Sequence, residues 1–255
     1  MLRGKSTSTL FICAAISMLA FSGTASAATK TVHMRGTAYE FNSVHTMLAG
    51  AVIKVEEYKT AKATVGSDGK YDLVVPANAK AVTPYISING YYGIHHQTFT
   101  TKTSDFKNVN FQVPTNGVAE FMMMILNVTP LNSLIHPWRL KDCAIVSTFS
   151  TKNVRNLDYA GFIAYGAHGV AGATASSTPK LSGVQAPVYF NENVTPDRSV
   201  KSSSIDGGVI FTRVPAGVYT IKATHKTAKF STFKATCKPG WVVNANPPWG
   251  LYQTS

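Results

Sequence analysis

Acidic residues are scarce in this 255-residue chain: 12 Asp and Glu stand against 24 Lys and Arg, and only 14% of residues are charged. Any mechanism that needs several carboxylates is starved of them. Cysteine is scarcer still, at three, which excludes a disulfide-dense scaffold and a Cys-rich zinc protein. No apolar period of 3.6 residues persists over three turns, so an all-helical fold is excluded. No hydrophobic run reaches the roughly 20 residues that a helix needs to span a bilayer. The hydrophobic share, 45%, is far too high for disorder. These absences leave a basic, mostly β, globular protein, long enough for one large domain or two small ones.

Residues 1–27 read as a secretory signal peptide. Arg3 and Lys5 give the positive start, Leu10 to Phe21 is apolar, and Ala25-Ser26-Ala27 is an A-x-A cleavage site. A retained anchor is the competing reading, for which the apolar run is short. Cys13 follows Ile12 inside that run, which speaks against a lipoprotein anchor. The mature chain is therefore expected to be secreted or periplasmic, with no transmembrane span. Loss of Arg3 and Lys5 takes its formal charge from +12 to +10. Cys143 and Cys237 remain, and in an oxidising compartment an even pair reads as one disulfide. The alternative is a pair of free buried thiols. Neither has a His within several residues, so a catalytic thiol is disfavoured.

Short β-rich runs dominate what is present. Val52 to Val55, Tyr71 to Val75, Tyr85 to Ile88 and Val109 to Val113 are separated by the turns Ser67-Asp68-Gly69, Pro76-Ala77-Asn78 and Asn89-Gly90. Val209 to Phe211, Val218 to Ile221 and Phe230 to Phe233 continue the pattern, which is that of a β-sandwich. Phe121 to Leu126 is expected to be a strand buried on both faces, with an adaptable Met-lined surface as the alternative. Leu131 to Leu140 has room for a helical turn, limited by Pro130 and Pro137.

An internal repeat runs through both halves. Gly50-Ala51-Val52 followed by Asp68-Gly69-Lys70-Tyr71 to Pro76 is echoed by Gly172-Ala173-Thr174 and Asp206-Gly207 to Val214-Pro215-Ala216-Gly217-Val218-Tyr219. Each copy implies an Asp-Gly hairpin turn and a strand ended by Pro. The second copy carries an insertion over roughly Ser176 to Ser203. These residues resemble carboxypeptidase regulatory-like domains, which are transthyretin-like β-sandwiches. The matches are Gly50, Ala51, Val52, Asp68, Gly69, Tyr71, Leu73, Val75 and Pro76, then Asp206, Gly207, Phe211, Val214, Pro215, Gly217 and Tyr219. The resemblance implies a seven-stranded, immunoglobulin-like sandwich serving adhesion, carbohydrate binding or packing. Residues 116–165 depart from it. The expected organisation is a signal peptide (1–27), a first sandwich (28–115), a connector (116–140) and a second, enlarged sandwich (141–255) holding Cys143–Cys237.

Catalytic signatures are wanting. There is no G-x-S-x-G elbow, and no histidine is followed by Glu at a zinc-peptidase spacing. His95-His96 is the best metal hint, beside Tyr91, Tyr92 and Gln97. Two adjacent strand residues point to opposite faces, so a polar loop between strands is the favoured reading and no cofactor is expected. His168 is expected to cap a sheet edge. Tyr85, Tyr91, Tyr92, Trp138, Trp241 and Trp249 are candidate sugar-stacking residues, against the plainer role of packing. Lys and Arg are scattered singly, which disfavours nucleic acid as partner and leaves a glycan, a cell-envelope polymer or a protein. The expected function is an exported, non-enzymatic binding or surface module for carbohydrate or another envelope component. The alternatives are an accessory subunit of a larger exported enzyme, or a metal-dependent enzyme using residues from 116–168, including His136, Trp138 and His168.

Overall fold

The computed structural model describes Met1, residues 30–128 and residues 139–255. The segment read as a signal peptide, His136, Trp138 and most of the turn expected over Leu131 to Leu140 lie outside the described residues.

Fifteen strands among the described residues make the chain all-β. In the first half these are β1 (Thr31–Glu40), β2 (Ser43–Met47), β3 (Val52–Val55), β4 (Lys62–Thr64), β5 (Lys70–Pro76), β6 (Pro84–Ser87) and β7 (Phe111–Val113). Period-2 alternation decides which side chains turn inward: in β5, Tyr71, Leu73 and Val75 are buried and the residues between them are exposed. β1 pairs antiparallel with β5, Val32 opposite Val75 and Met34 opposite Leu73, so both strands turn their apolar sets to one side. β2 and β7 flank β1, with β7 parallel to it. A sheet in the order β4-β3-β6 faces them across a core that includes Met34, Ile53, Leu73, Ile86 and Phe111. Each such side chain contributes about 1.5–3 kcal/mol by leaving water.

The second half holds β8 (Cys143–Thr148), β9 (Thr174–Thr178), β10 (Val188–Phe190), β11 (Pro196–Asp197), β12 (Gly208–Val214), β13 (Gly217–Thr224), β14 (Phe233–Cys237) and β15 (Val242–Ala245). A five-stranded sheet, β11-β10-β12-β8-β15, packs on a three-stranded one, β14-β13-β9. Ile145, Val209, Phe211 and Val243 from the first sheet meet Tyr219, Ile221, Phe233 and Ala235 from the second. The Cys143–Cys237 disulfide is formed and ties β8 to β14, one strand from each layer. The insertion of the second copy supplies β10 and the edge strand β11.

The Asp-Gly turns do not close hairpins. Asp68-Gly69 leads from β4 into β5, strands of different sheets. Gly69 and Gly207 adopt φ of +77° and +79°, where a Cβ is strained, and Asp68 accepts the Lys70 N–H at 3.1 Å. Asp68-Gly69 carries the chain between layers, whereas Asp206-Gly207 lies between β11 and β12 of one sheet.

Phe121 to Leu126 is not a strand. Phe121 to Ile125 lies in α1 (Asn116–Ile125), with Leu126 as its C-cap, and the helix is opened by Thr115, whose hydroxyl accepts the Val118 N–H at 3.2 Å. The five-stranded sheet is apolar on both faces. The face turned away from its own core, with Ala144, Val188, Phe190 and Ile210, is covered by Ala119, Met123 and Leu126 of this segment and by Tyr92. A second short helix, α2 (Tyr159–Tyr165), is capped by the Asp158 carboxylate.

The two halves are spliced edge to edge by residues 94–96. On one side Ile86 donates to the Ile94 carbonyl at 3.0 Å and His96 to the Pro84 carbonyl at 2.8 Å. On the other, His95 donates to the Val242 carbonyl and accepts from the Asn244 N–H, both at 2.8 Å. The β4-β3-β6 sheet and the five-stranded sheet thus share one hydrogen-bonded seam.

Candidate functional site

Most aromatics singled out in the sequence gather at or near this seam. Tyr85, His95 and Trp241 form a pile, with ring centroids 5.1 Å apart in the first step and 3.5 Å in the second. Lys238 Nζ stands 4.6 Å from the Trp241 ring, which is buried. Tyr92 is buried too. Its hydroxyl donates to the Gly240 carbonyl at 2.9 Å and accepts from the Leu140 N–H at 3.1 Å. Trp249 packs on Phe99 and Phe106 under the Arg155 guanidinium, and its Nε1 donates to the Lys107 carbonyl at 3.0 Å. Tyr91 is half-buried and donates to Glu40 at 2.7 Å.

His95 and His96 do not sit in a polar loop. The seam buries both, and, as strand geometry requires, their rings part. His95 reaches Glu56 at 3.2 Å, and burial, which that contact only partly offsets, lowers its pKa to about 4. His96 enters the first core against Phe99 and Phe111, accepts the Gln97 N–H at 2.8 Å, and burial lowers its pKa to about 3. Among the described residues, no three His, Cys, Asp or Glu side chains stand close enough together to hold a metal ion.

A cleft of about 350 Å³ opens beside the seam, between the halves. Tyr39 of β1, Phe162 of α2 and Phe190 of β10 give it aromatic walls. Its polar side chains include Gln112 of β7, Asn244 of β15, His168 and Asp206. His168 Nδ1 lies 2.8 Å from the Gly166 carbonyl. A carbonyl only accepts, so Nδ1 carries the proton and Nε2 keeps its lone pair in the neutral ring. Asp206 accepts the Gly208 N–H at 2.9 Å, yet burial outweighs that bond and nearby His168 and pushes its pKa up. Burial likewise raises the Tyr39 phenol, whose ring packs 4.9 Å from Tyr159.

The cleft therefore offers acceptors and amides above flat apolar walls. Ser147, which also lines it, bonds the Ala245 carbonyl and the Leu251 N–H at 3.2 Å each and is not poised as a nucleophile. The arrangement suits holding a polar molecule better than covalent chemistry. The sequence alone places Asp206 only in a turn and His168 at a sheet edge. Tyr39 and Gln112 carried no local signal, because the residues that complete the cleft lie far along the chain.

No protein-family model matches the chain, and no curated protein matches it. Among solved structures, the Bacillus anthracis TIE protein is similar over 86% of this chain at 14% identity and a TM-score of 0.26. The chain spans only 34% of that protein's length. A type II cohesin–X-dockerin complex from Acetivibrio cellulolyticus is similar over 34% of this chain and 60% of the other, at 14% identity and a TM-score of 0.28. GBS52, the minor pilin of Streptococcus agalactiae, is similar over 88% of this chain and 97% of its own, at 7% identity and a TM-score of 0.25. At such scores these similarities add nothing to the β-sandwich architecture seen directly in the strands.

Proposed function

We propose that this chain is an exported, non-enzymatic binding module of the cell envelope, and that its ligand is a carbohydrate unit held in the cleft between the two halves. The observation that carries the reading is the lining of that cleft. A sugar presents apolar C–H faces and a rim of hydroxyls, and the cleft sets Phe162 and Phe190 against Asp206, His168 and Gln112. The basic charge favours approach to anionic envelope polymers, an attraction that salt weakens.

The test is retention of the mature protein on insoluble polysaccharides and cell-wall material at low and high salt. Salt-resistant retention on one polymer is expected. Asp206→Asn, which keeps an acceptor for Gly208, should weaken it ten- to a hundredfold, the worth of a charge-assisted hydrogen bond. Retention that salt abolishes on every anionic surface alike overturns the reading. So does retention on nothing, which would turn attention to an accessory-subunit role, for which exposed Phe121 and Met124 on α1 offer a surface.

A further inference from the structure

The cover that α1 lays over the five-stranded sheet is incomplete. A second cavity, about 90 Å³, remains between Met122, Met123 and Leu126 of the helical segment and Val146, Ile210 and Thr212 of the sheet. Its walls are almost wholly apolar, and of the polar side chains in the lining Tyr92 and Asn244 have hydrogen-bond partners while Thr212 has none. Thr212 is 2% exposed, it lines the cavity, and its Oγ1 has no hydrogen-bond partner. A buried hydroxyl without a partner is destabilising, and valine has the same shape without that cost. Water does not resolve it, because an ordered water needs two to four polar partners and the walls are nearly devoid of them.

We propose that this cavity is a second ligand site, distinct from the cleft, for a small aromatic molecule carrying one hydroxyl, of the phenol class. The ring lies against Met122, Met123 and Ile210, and the ligand hydroxyl donates to Thr212 Oγ1. Engineered apolar cavities of roughly 150 Å³ admit benzene. The volume here is smaller, so a single ring enters only as the methionine side chains, which adapt to irregular shapes, move aside. Thr212 sits on the same face of β12 as Ile210, two residues away, so the strand's alternation delivers an apolar floor and one polar atom together.

The experiment titrates the full-length mature protein with phenol and, separately, with toluene, following the methyl resonances of Met122 and Met123 and the binding heat. Phenol is expected to shift both methyls and to bind more tightly than toluene. Thr212→Val should weaken phenol about tenfold, the worth of one neutral hydrogen bond, and leave toluene unchanged. The same variant, free of ligand, should unfold at an equal or higher temperature, because it removes an unsatisfied hydroxyl. Ala119→Leu, which fills the cavity from α1, should abolish binding of both. Absence of any methyl shift with either compound overturns the proposal, as does phenol binding that Thr212→Val leaves untouched. Asp206→Asn should not alter phenol binding, which separates this site from the cleft.

Discussion

Acid should loosen this protein before its carboxylates titrate, because the seam buries two neutral histidines. In the unfolded chain a histidine titrates near 6.5. In the folded chain His95 titrates at about 4 and His96 at about 3. Both folded values are depressed, so the unfolded state binds more protons as pH falls through 6.5, and stability drops with it. The loss continues down to about pH 4 for His95 and about pH 3 for His96. At pH 5 each histidine costs about 2 kcal/mol relative to pH 7.5, and the pair about 4 kcal/mol, at 1.36 kcal/mol per unit. That is a large part of the 5–15 kcal/mol that holds a typical domain together. Asp68 and Asp105 do not contribute in this window, since N–H donors hold their carboxyls below the usual range. The raised Asp206 carboxyl works in the opposite sense and reduces the net loss. The assay is urea unfolding at half-unit steps from pH 7.5 to 5.0, on wild type, His95→Gln and His96→Gln. Wild type should approach two protons taken up per unfolding event near pH 5.5, and each variant about one fewer. A stability that stays flat from pH 7.5 to 5.0, or a His96→Gln slope equal to wild type, would refute the reasoning.

Two further outcomes follow from the packing. Reducing Cys143–Cys237 removes a crosslink spanning 94 residues and should cost up to about 4.7 kcal/mol on the loop-entropy account, read as a lower melting temperature in dithiothreitol. An unchanged melting temperature would mean that the layers of the second half hold without the staple. Trp249→Ala should destabilise by up to about 3 kcal/mol, because the half-buried indole packs on Phe99 and Phe106 and bonds Lys107. Polysaccharide retention of the folded variant should match wild type, and selective loss of retention at unchanged stability would make Trp249 a sugar contact.

The strands were the legible part of the sequence. Val52 to Val55 coincides with β3, and Tyr71 to Val75 lies within β5, because two-residue alternation is a local property that survives without its partners. The disulfide was legible from the two cysteines that remain once Cys13 is set aside with the segment read as a signal peptide. α1 was not. Six apolar residues in a row carry neither a 2- nor a 3.6-residue period, and the face that calls for a helical cover is built by strands far along the chain. His95 and His96 misled for the same reason. Beside Tyr91, Tyr92 and Gln97 they read as polar, yet Trp241 and β15 bury His95 from across the seam. The cleft was illegible as a site, since Tyr39, Gln112, His168, Asp206 and Asn244 share no motif and meet only once both halves are in place.

The splice at residues 94–96 also sets the order in which this chain can become itself. Tyr92 finds the Gly240 carbonyl across 148 residues, and Thr98 finds Thr236 across 138. Pairings so distant are formed late, because the entropy of closing a long loop is spent before the contact returns anything. Until β15 emerges, the 94–96 segment has a neighbour on one side only and presents an open strand edge. The molecule is in this sense timed by its last strand: the first half can gather most of its core earlier, but the core of the second half, which includes Val243 and Ala245, and the partnership between the halves both wait for residues 242–245.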